Sequence, residues 1–229
     1  MNRKDKFKQV DLYTEIKIQK SLNILEKIIT IDNVTLISEN LKNNEDNLHF
    51  HKYYEKILKN YEDFLNIENF FSTFKYMYSI QGVDIPYIQF LESNKKDILK
   101  KIKDDDPVSL YVNYFQKRNI KYLDKSRVKD FPSFFSKLLH TFLPEFYPAL
   151  DNPIKNLLDF KNEGFLYSYL CITELYKDFI TNYPSLLNEI RSIFNKSSNI
   201  IDYSIYSDIK YLDLILWNTA NLTKESDVA

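Results

Sequence analysis

Glycine is almost missing from this chain: among 229 residues only Gly82 and Gly164 occur. Tight β-hairpin turns usually recruit glycine, because it adopts positive φ at little steric cost. A sheet-rich fold would therefore lack its turn residues, whereas helices joined by short polar loops need few glycines. The sequence predicts an all-α protein, and apolar residues at helical spacing divide it into about ten helices.

The composition is that of a globular protein. Hydrophobic residues make up 44% and charged residues 28% of the chain, enough apolar material for a core. No repeat and no Gly/Ser-rich linker divides it, so we expect one all-α domain over residues 1–229, in which two lobes could flank a cleft near 117–160. Aromatic residues reach 16%, an excess that an AT-rich genome alone would produce.

Several chemistries are disfavoured. The single cysteine, Cys171, excludes an intramolecular disulfide, and its apolar neighbours indicate a buried thiol. His49 and His51 lie two positions apart, on different faces of a helix, so we expect no metal site and no cofactor. The first residues contain no apolar signal region and no stretch reaches the length of a membrane span. We expect a cytoplasmic protein with no membrane partner; its oligomeric state stays open, with a monomer favoured.

Capping signals place the helix boundaries. Asp84 with Pro86 begins a helix that runs to about residue 103, and Asp106 with Pro107 begins the next. The segment 117–129 is interpreted as a loop or a short helix. Further helices are predicted over residues 132–143, 152–161, 165–181 and 204–220.

Positive charge is concentrated in one segment. Residues 116–137 hold seven basic residues against Asp124 and Asp130, although the whole chain has a net charge of −1. Such asymmetry is typical of an anion-binding face, and an ordinary solvated surface explains it about equally well.

Two predicted helices meet at a proline-bracketed turn in residues 131–160. Lys137 and His140 lie three apart on the first helix and therefore share a face. Pro144 ends that helix, and Asp151 falls where the next one starts. A helix N-cap explains Asp151 well, because its carboxylate would accept backbone N–H bonds of the following turn.

The segment YPALDNPIKNLL (147–158) resembles a stretch of the helix-hairpin-helix DNA glycosylases that reads approximately F-P-(I/V)-(L/D)-D-x-(N/H)-V-x-R-(V/L)-L. Tyr147 with Pro148, Asp151, Ile154 and Leu157 with Leu158 match. In that family the aspartate lies at a helix N-terminus and assists attack on the glycosidic carbon, so the resemblance implies this role for Asp151. It covers about 30 residues, and the glycine-containing hairpin of the family has no counterpart here.

The resemblance implies a monofunctional DNA glycosylase that hydrolyses the N-glycosidic bond of a modified or damaged base, in repair or antiphage defence. Lys137 lies too close to Asp151 for the family's nucleophile, so Lys137 and His140 are weaker catalytic candidates. Trp217 is a candidate for the base pocket, with a core position as the alternative. The predicted DNA contacts are Lys117, Arg118, Lys121, Lys125, Arg127, Lys129, Ser133, Ser136, Asn152 and Lys155. The alternative function is a non-catalytic helical interaction or regulatory module.

Overall fold

A computed structural model describes residues 12–42, 45–59, 66–122, 125–198 and 200–226. The predicted all-α class is confirmed, and within these residues the chain forms twelve α-helices and one two-stranded sheet. The helices are α1 (Leu12–Ile28), α2 (Ile31–Lys42), α3 (Glu45–Lys59), α4 (Phe70–Met77), α5 (Ile85–Ser93), α6 (Lys95–Lys103), α7 (Pro107–Leu110), α8 (Pro132–Phe142), α9 (Asn152–Leu157), α10 (Phe165–Asn182), α11 (Pro184–Ser197) and α12 (Asp208–Ser226).

The predicted helix starts at Asp84 and Asp106 are confirmed. The Asp84 carboxylate accepts the Tyr87 backbone N–H at 3.0 Å, and the Asp106 carboxylate accepts that of Ser109 at 3.1 Å. The helix predicted to run from Asp84 to residue 103 is interrupted at Asn94, so α5 and α6 are separate helices. One π-helical turn, Tyr111–Phe115, follows α7.

The interpretation of residues 117–129 as a loop or a short helix is wrong. They form an antiparallel hairpin of β1 (Arg118–Tyr122) and β2 (Lys125–Lys129), in which Arg118 pairs with Lys129. The open end of the hairpin is closed by its flanks. The Lys117 N–H donates to the Asp130 carboxylate at 2.6 Å, and the Phe131 N–H donates to the Phe115 carbonyl at 2.8 Å.

Two other helices are shorter than predicted at one end. α9 ends at Leu157 rather than 161, because Asp159 adopts the left-handed conformation with φ 65°. The last helix begins at Asp208 rather than 204, since residues 203–205 form a separate 3₁₀ turn. The helix over 132–143 is confirmed as α8.

Helices distant in sequence pack together around one hydrophobic cluster. α11 packs on α2, α10 on α1, and α12 contacts α2, α9 and α10. α8 is largely buried and packs against α3 and the π-helical turn. The Cys171 thiol is buried in this core, as predicted.

Candidate functional site

A cavity of about 300 Å³ opens where six helices meet. Its walls come from α2, α3, α4 with the two residues after it, α8, α9 with the segment before it, and α12. The lining residues are Leu41, Phe50, His51, Met77, Tyr78, Ser79, Lys137, Ala149, Asp151, Ile154, Lys210, Asp213, Leu214, Trp217 and Asn218. Three of the predicted site residues, Lys137, Asp151 and Trp217, are therefore brought together.

Asp151 occupies the N-cap position of α9 without capping it. Its backbone is extended, and its side chain accepts no hydrogen bond from the first turn. Instead, one carboxylate oxygen accepts the Ser133 hydroxyl at 2.5 Å, and the other lies 3.0 Å from Lys137 Nζ. The N-cap explanation of this carboxylate is therefore wrong. Two side chains of α8 hold the Asp151 carboxylate at the cavity wall.

The serines of α8 anchor the segment that carries Asp151. Ser136 donates its hydroxyl to the Leu150 carbonyl at 2.9 Å and is completely buried. Its predicted contact with DNA is therefore wrong, since a buried hydroxyl cannot reach a phosphate. Ser133, also predicted to contact DNA, is partly buried and uses its hydroxyl proton on Asp151.

His140 lies behind the cavity wall rather than in it. Its Nδ1 is 2.7 Å from the Tyr147 carbonyl oxygen, which can only accept, so Nδ1 carries the proton. Its Nε2 then accepts the Tyr54 hydroxyl at 3.0 Å. Burial lowers the pKa of His140 to about 3, and the positive charge of Lys210 adds to this. The geometry makes His140 a neutral support for the wall, out of contact with a ligand in the cavity.

Lys210 and Asp213, three residues apart on α12, were not predicted from the sequence as site residues. Both are nearly buried, with 5% and 4% of their surface exposed. The Asp213 oxygens accept the Ala149 N–H at 2.8 Å and the Tyr176 hydroxyl at 3.1 Å. Burial raises the pKa of Asp213 and lowers that of Lys210, while each charge favours the other. The sequence signal that could have identified them is the presence of two charged residues inside the apolar run 209–217. Charged residues are seldom buried without a function or a partner.

Aromatic rings and a histidine also contribute to the wall. Trp217 is 41% exposed, so the alternative of a core position is wrong. The Lys210 ammonium lies 5.1 Å from the Phe50 ring centroid and 4.6 Å from that of Tyr54. His51 is hydrogen-bonded to the Tyr206 hydroxyl at 2.9 Å, and burial lowers its pKa to about 3.

The basic hairpin adjoins the rim of the cavity through the loop after α4. Tyr78 and Ser79 line the cavity, and the same loop reaches Gly82 three residues later. A Cβ on Gly82 would lie 2.3 Å from Lys129 Nζ, so β2 approaches this loop closely. Lys129 Nζ also lies 3.5 Å from the Gln81 carbonyl oxygen.

The predicted DNA contacts differ in how accessible they are. Lys117, Arg127 and Asn152 are exposed. Arg118 is turned inward, donating to the Gln116 and Val112 carbonyls at 2.9 Å and stacking on Phe90, so it holds the hairpin. Lys155 donates to the Glu163 carbonyl. The side chains of Lys121 and Lys125 lie outside the described part of the structure.

Other features of the described residues offer less chemistry. A more open depression of about 790 Å³ is formed by Asn66 and mostly polar residues between 92 and 103. The described chain holds no group of three His, Cys, Asp or Glu side chains that could bind a metal ion. Among its helices none is long and apolar enough to cross a membrane.

No family model, curated protein or solved structure matches this chain.

Proposed function

We propose that the protein hydrolyses the N-glycosidic bond of a modified or damaged base in DNA. The observation that carries the proposal is the Asp151 carboxylate, which lines the cavity and is held there by Ser133 and Lys137. A fixed carboxylate supplies the negative charge that an oxocarbenium-like sugar needs in the transition state. Because the two partners are on one helix, the carboxylate needs no reorganisation when that charge develops.

The proposed reaction consumes one water. The C1′–N bond breaks and its electron pair leaves with the base, which takes up a proton. The water oxygen bonds to C1′, and the proton that it loses goes to Asp151 and then to solvent. The Lys137 ammonium, 3.0 Å from the carboxylate, orients Asp151 and is not required as a nucleophile.

The cavity suits a base extruded from the duplex. Its volume of about 300 Å³ is at the lower end of ligand pockets, enough for one nucleobase and too small for a nucleotide chain. Extruded bases are commonly held against aromatic side chains, and half-exposed Trp217 provides such a surface at the wall.

Cations beside the rim supply a means of holding the DNA backbone. Lys117 and Arg127 are exposed, and Lys129 lies against the loop that continues into the cavity wall. Neutralising phosphates there would release counterions and favour binding. A base flipped from the bound duplex would then have a short path into the cavity.

The first test compares two aspartates that occupy N-cap positions. Duplexes bearing deaminated, oxidised, alkylated or glucosylated bases are incubated with the protein and treated with alkali, which breaks the strand at abasic sites. We expect wild-type protein to release at least one base and Asp151→Asn to be slower by about 10²–10³-fold, the usual effect of losing one transition-state charge partner.

The matched control is Asp106→Asn, which changes an aspartate that caps its helix outside the cavity. Asparagine caps a helix about as well as aspartate, so this variant should keep full activity. Full activity in Asp151→Asn would remove Asp151 from the mechanism. Release of no base by the wild type would favour an interaction module instead.

A further inference from the structure

Among the charged groups that line the cavity, Lys210 is the one whose ammonium has no hydrogen-bond acceptor within the described residues. Its side chain is 5% exposed and lines the cavity. Among the described residues no group accepts a hydrogen bond from its ammonium, and no carboxylate lies within 4.0 Å of it. The Phe50 and Tyr54 rings cover one side of the ammonium at 5.1 and 4.6 Å.

The other three charges of the cavity already have partners. Lys137 and Asp151 form an ion pair, and both oxygens of Asp213 accept protein hydrogen bonds. An ammonium has three donors and no acceptor, and burying it without acceptors is costly. Cation–π contact offsets part of this cost and supplies no hydrogen-bond acceptor. The Lys210 ammonium therefore keeps donor capacity for a ligand in the cavity that it lines.

Charge balance restricts the occupant. Two lysines and two aspartates line the cavity, so it offers no surplus positive charge for a phosphate or a carboxylate. A neutral ligand with a strong acceptor atom fits better. Among bases, an exocyclic oxo group is such an acceptor, whereas an amino group would set donor against donor.

Resting on the proposed function, we propose that the cavity selects bases with an exocyclic oxo group, which accepts a hydrogen bond from Lys210 Nζ, and rejects bases with an amino group there. Sites built around a buried donor discriminate strongly, because the wrong ligand leaves that donor unpaired.

Titration calorimetry with free bases tests this selection on the full chain. Two pairs are used, hypoxanthine with adenine and uracil with cytosine, in each of which an oxo group replaces an amino group. In at least one pair we expect the oxo base to bind about 10- to 100-fold more tightly, the ratio expected for one hydrogen bond to a charged donor.

Lys210→Met should remove this preference while leaving the protein folded, since the apolar chain of Met fills the same space and both Asp213 oxygens keep their hydrogen bonds. Lys210→Gln keeps a donor and should retain part of it. The control is Lys95→Met: the Lys95 ammonium also lies over a ring, 5.5 Å from the Phe70 centroid, yet pairs with Glu92 outside the cavity. That variant should keep the full preference.

Equal or reversed affinities within both pairs would overturn the inference, as would no binding of any of the four bases. A preference that survives in Lys210→Met would also overturn it. Free bases have no glycosidic bond, so their binding tests the proposed selection without testing the proposed excision activity. Binding of uracil or hypoxanthine without any excision from DNA would refute the excision activity alone. Excision of adenine, with hypoxanthine left in the DNA, would refute the selection alone.

Discussion

Asp151 combines the backbone of a helix cap with side-chain partners that face a cavity. A capping carboxylate accepts the N–H of the second or third helical residue, and here the second is Pro153, which has no N–H. Diverting the carboxylate to Ser133 and Lys137 therefore costs α9 little. The sequence placed Asp151 at the helix start, but a choice between cap and site depends on α8, which only the fold brings near.

The burial of His140 predicts how the free energy of unfolding changes at acid pH. The pKa of His140 falls from 6.5 to about 3 on folding, so its contribution to stability is complete above pH 6.5 and is lost as the pH falls towards 3. At pH 7 we expect His140→Phe to lower the free energy of unfolding by about 1–3 kcal/mol, because Tyr54 and Tyr147 lose their partner. At pH 5 this difference should shrink by about 2 kcal/mol.

Urea unfolding of both proteins at pH 7 and pH 5 measures the effect. The pKa of Asp213, raised by burial, gives the opposite trend, since stability from that group is lost as the pH rises through its folded value. Three titratable groups face the ring at position 140 in the wild type and in the variant: the Tyr54 hydroxyl, the Lys210 ammonium and Asp213, which lies 3.7 Å from His140. Their own titrations therefore largely cancel from the difference in unfolding free energy between the two proteins. Exposed His49→Phe is the control. A His140→Phe penalty independent of pH would contradict the prediction.

Some residues of the site could be predicted from the sequence and others could not. Asp151, Lys137 and Trp217 were candidates because of local features: a proline-bracketed turn with a family resemblance, a lysine on one helix face with His140, and an aromatic side chain on the last helix. Lys210 and Asp213 look like the polar side of an amphipathic helix. Only the packing of α12 against α9 and α10 shows that this side is buried as well.

At the scale of elements, the scarcity of glycine predicted the confirmed all-α class but did not predict the hairpin formed by β1 and β2. β1 and β2 pair although neither strand nor the segment between them contains a glycine. Just before β1, Lys117 adopts φ 51°, and its N–H donates to the Asp130 carboxylate. Gly82 supplies positive φ outside the hairpin, at 68°, where it also makes room for Lys129.

The hairpin cations should determine how DNA binding depends on salt. Replacing Lys117, Arg127 and Lys129 by serine should weaken binding and reduce the slope of log K against log salt by up to roughly 0.9 per lost phosphate contact. Fluorescence anisotropy with a labelled duplex at 50–200 mM salt, a range that reveals phosphate contacts, measures both.

The control removes the same charge elsewhere. Lys96, Lys100 and Lys103 are exposed on α6, which contributes no residue to the cavity. Replacing these three lysines by serine should change the slope less. Equal effects of the two triple variants would mean that net charge, rather than the hairpin, governs binding.

At the scale of the whole molecule, the helical class and most helix positions followed from local patterns, whereas the arrangement did not. Periodicity reports which face of a helix is apolar and not which partner covers it. The pairing of α2 with α11 and of α1 with α10 joins opposite ends of the chain. Such pairings depend on side-chain fit between distant segments, which no single stretch contains.

The residues that line the cavity are distributed along the sequence from Leu41 to Asn218, and this distribution has a thermodynamic consequence. Unfolding of any wall abolishes the cavity, so its ligand binds the native chain and has no site on the unfolded one. A ligand at 100 times its dissociation constant then adds about 2.7 kcal/mol to the free energy of unfolding. We expect the melting temperature to rise by roughly 5–11 °C, given the usual shift per kcal/mol for a domain of this size.

Differential scanning fluorimetry over a set of bases and nucleosides would measure this rise, and a base that binds by calorimetry without any rise would contradict it. The melting temperature thus reports occupancy of the cavity whatever the chemistry of its ligand. Because both halves of the sequence contribute to the cavity, the stability of the entire chain reports the binding of one small molecule.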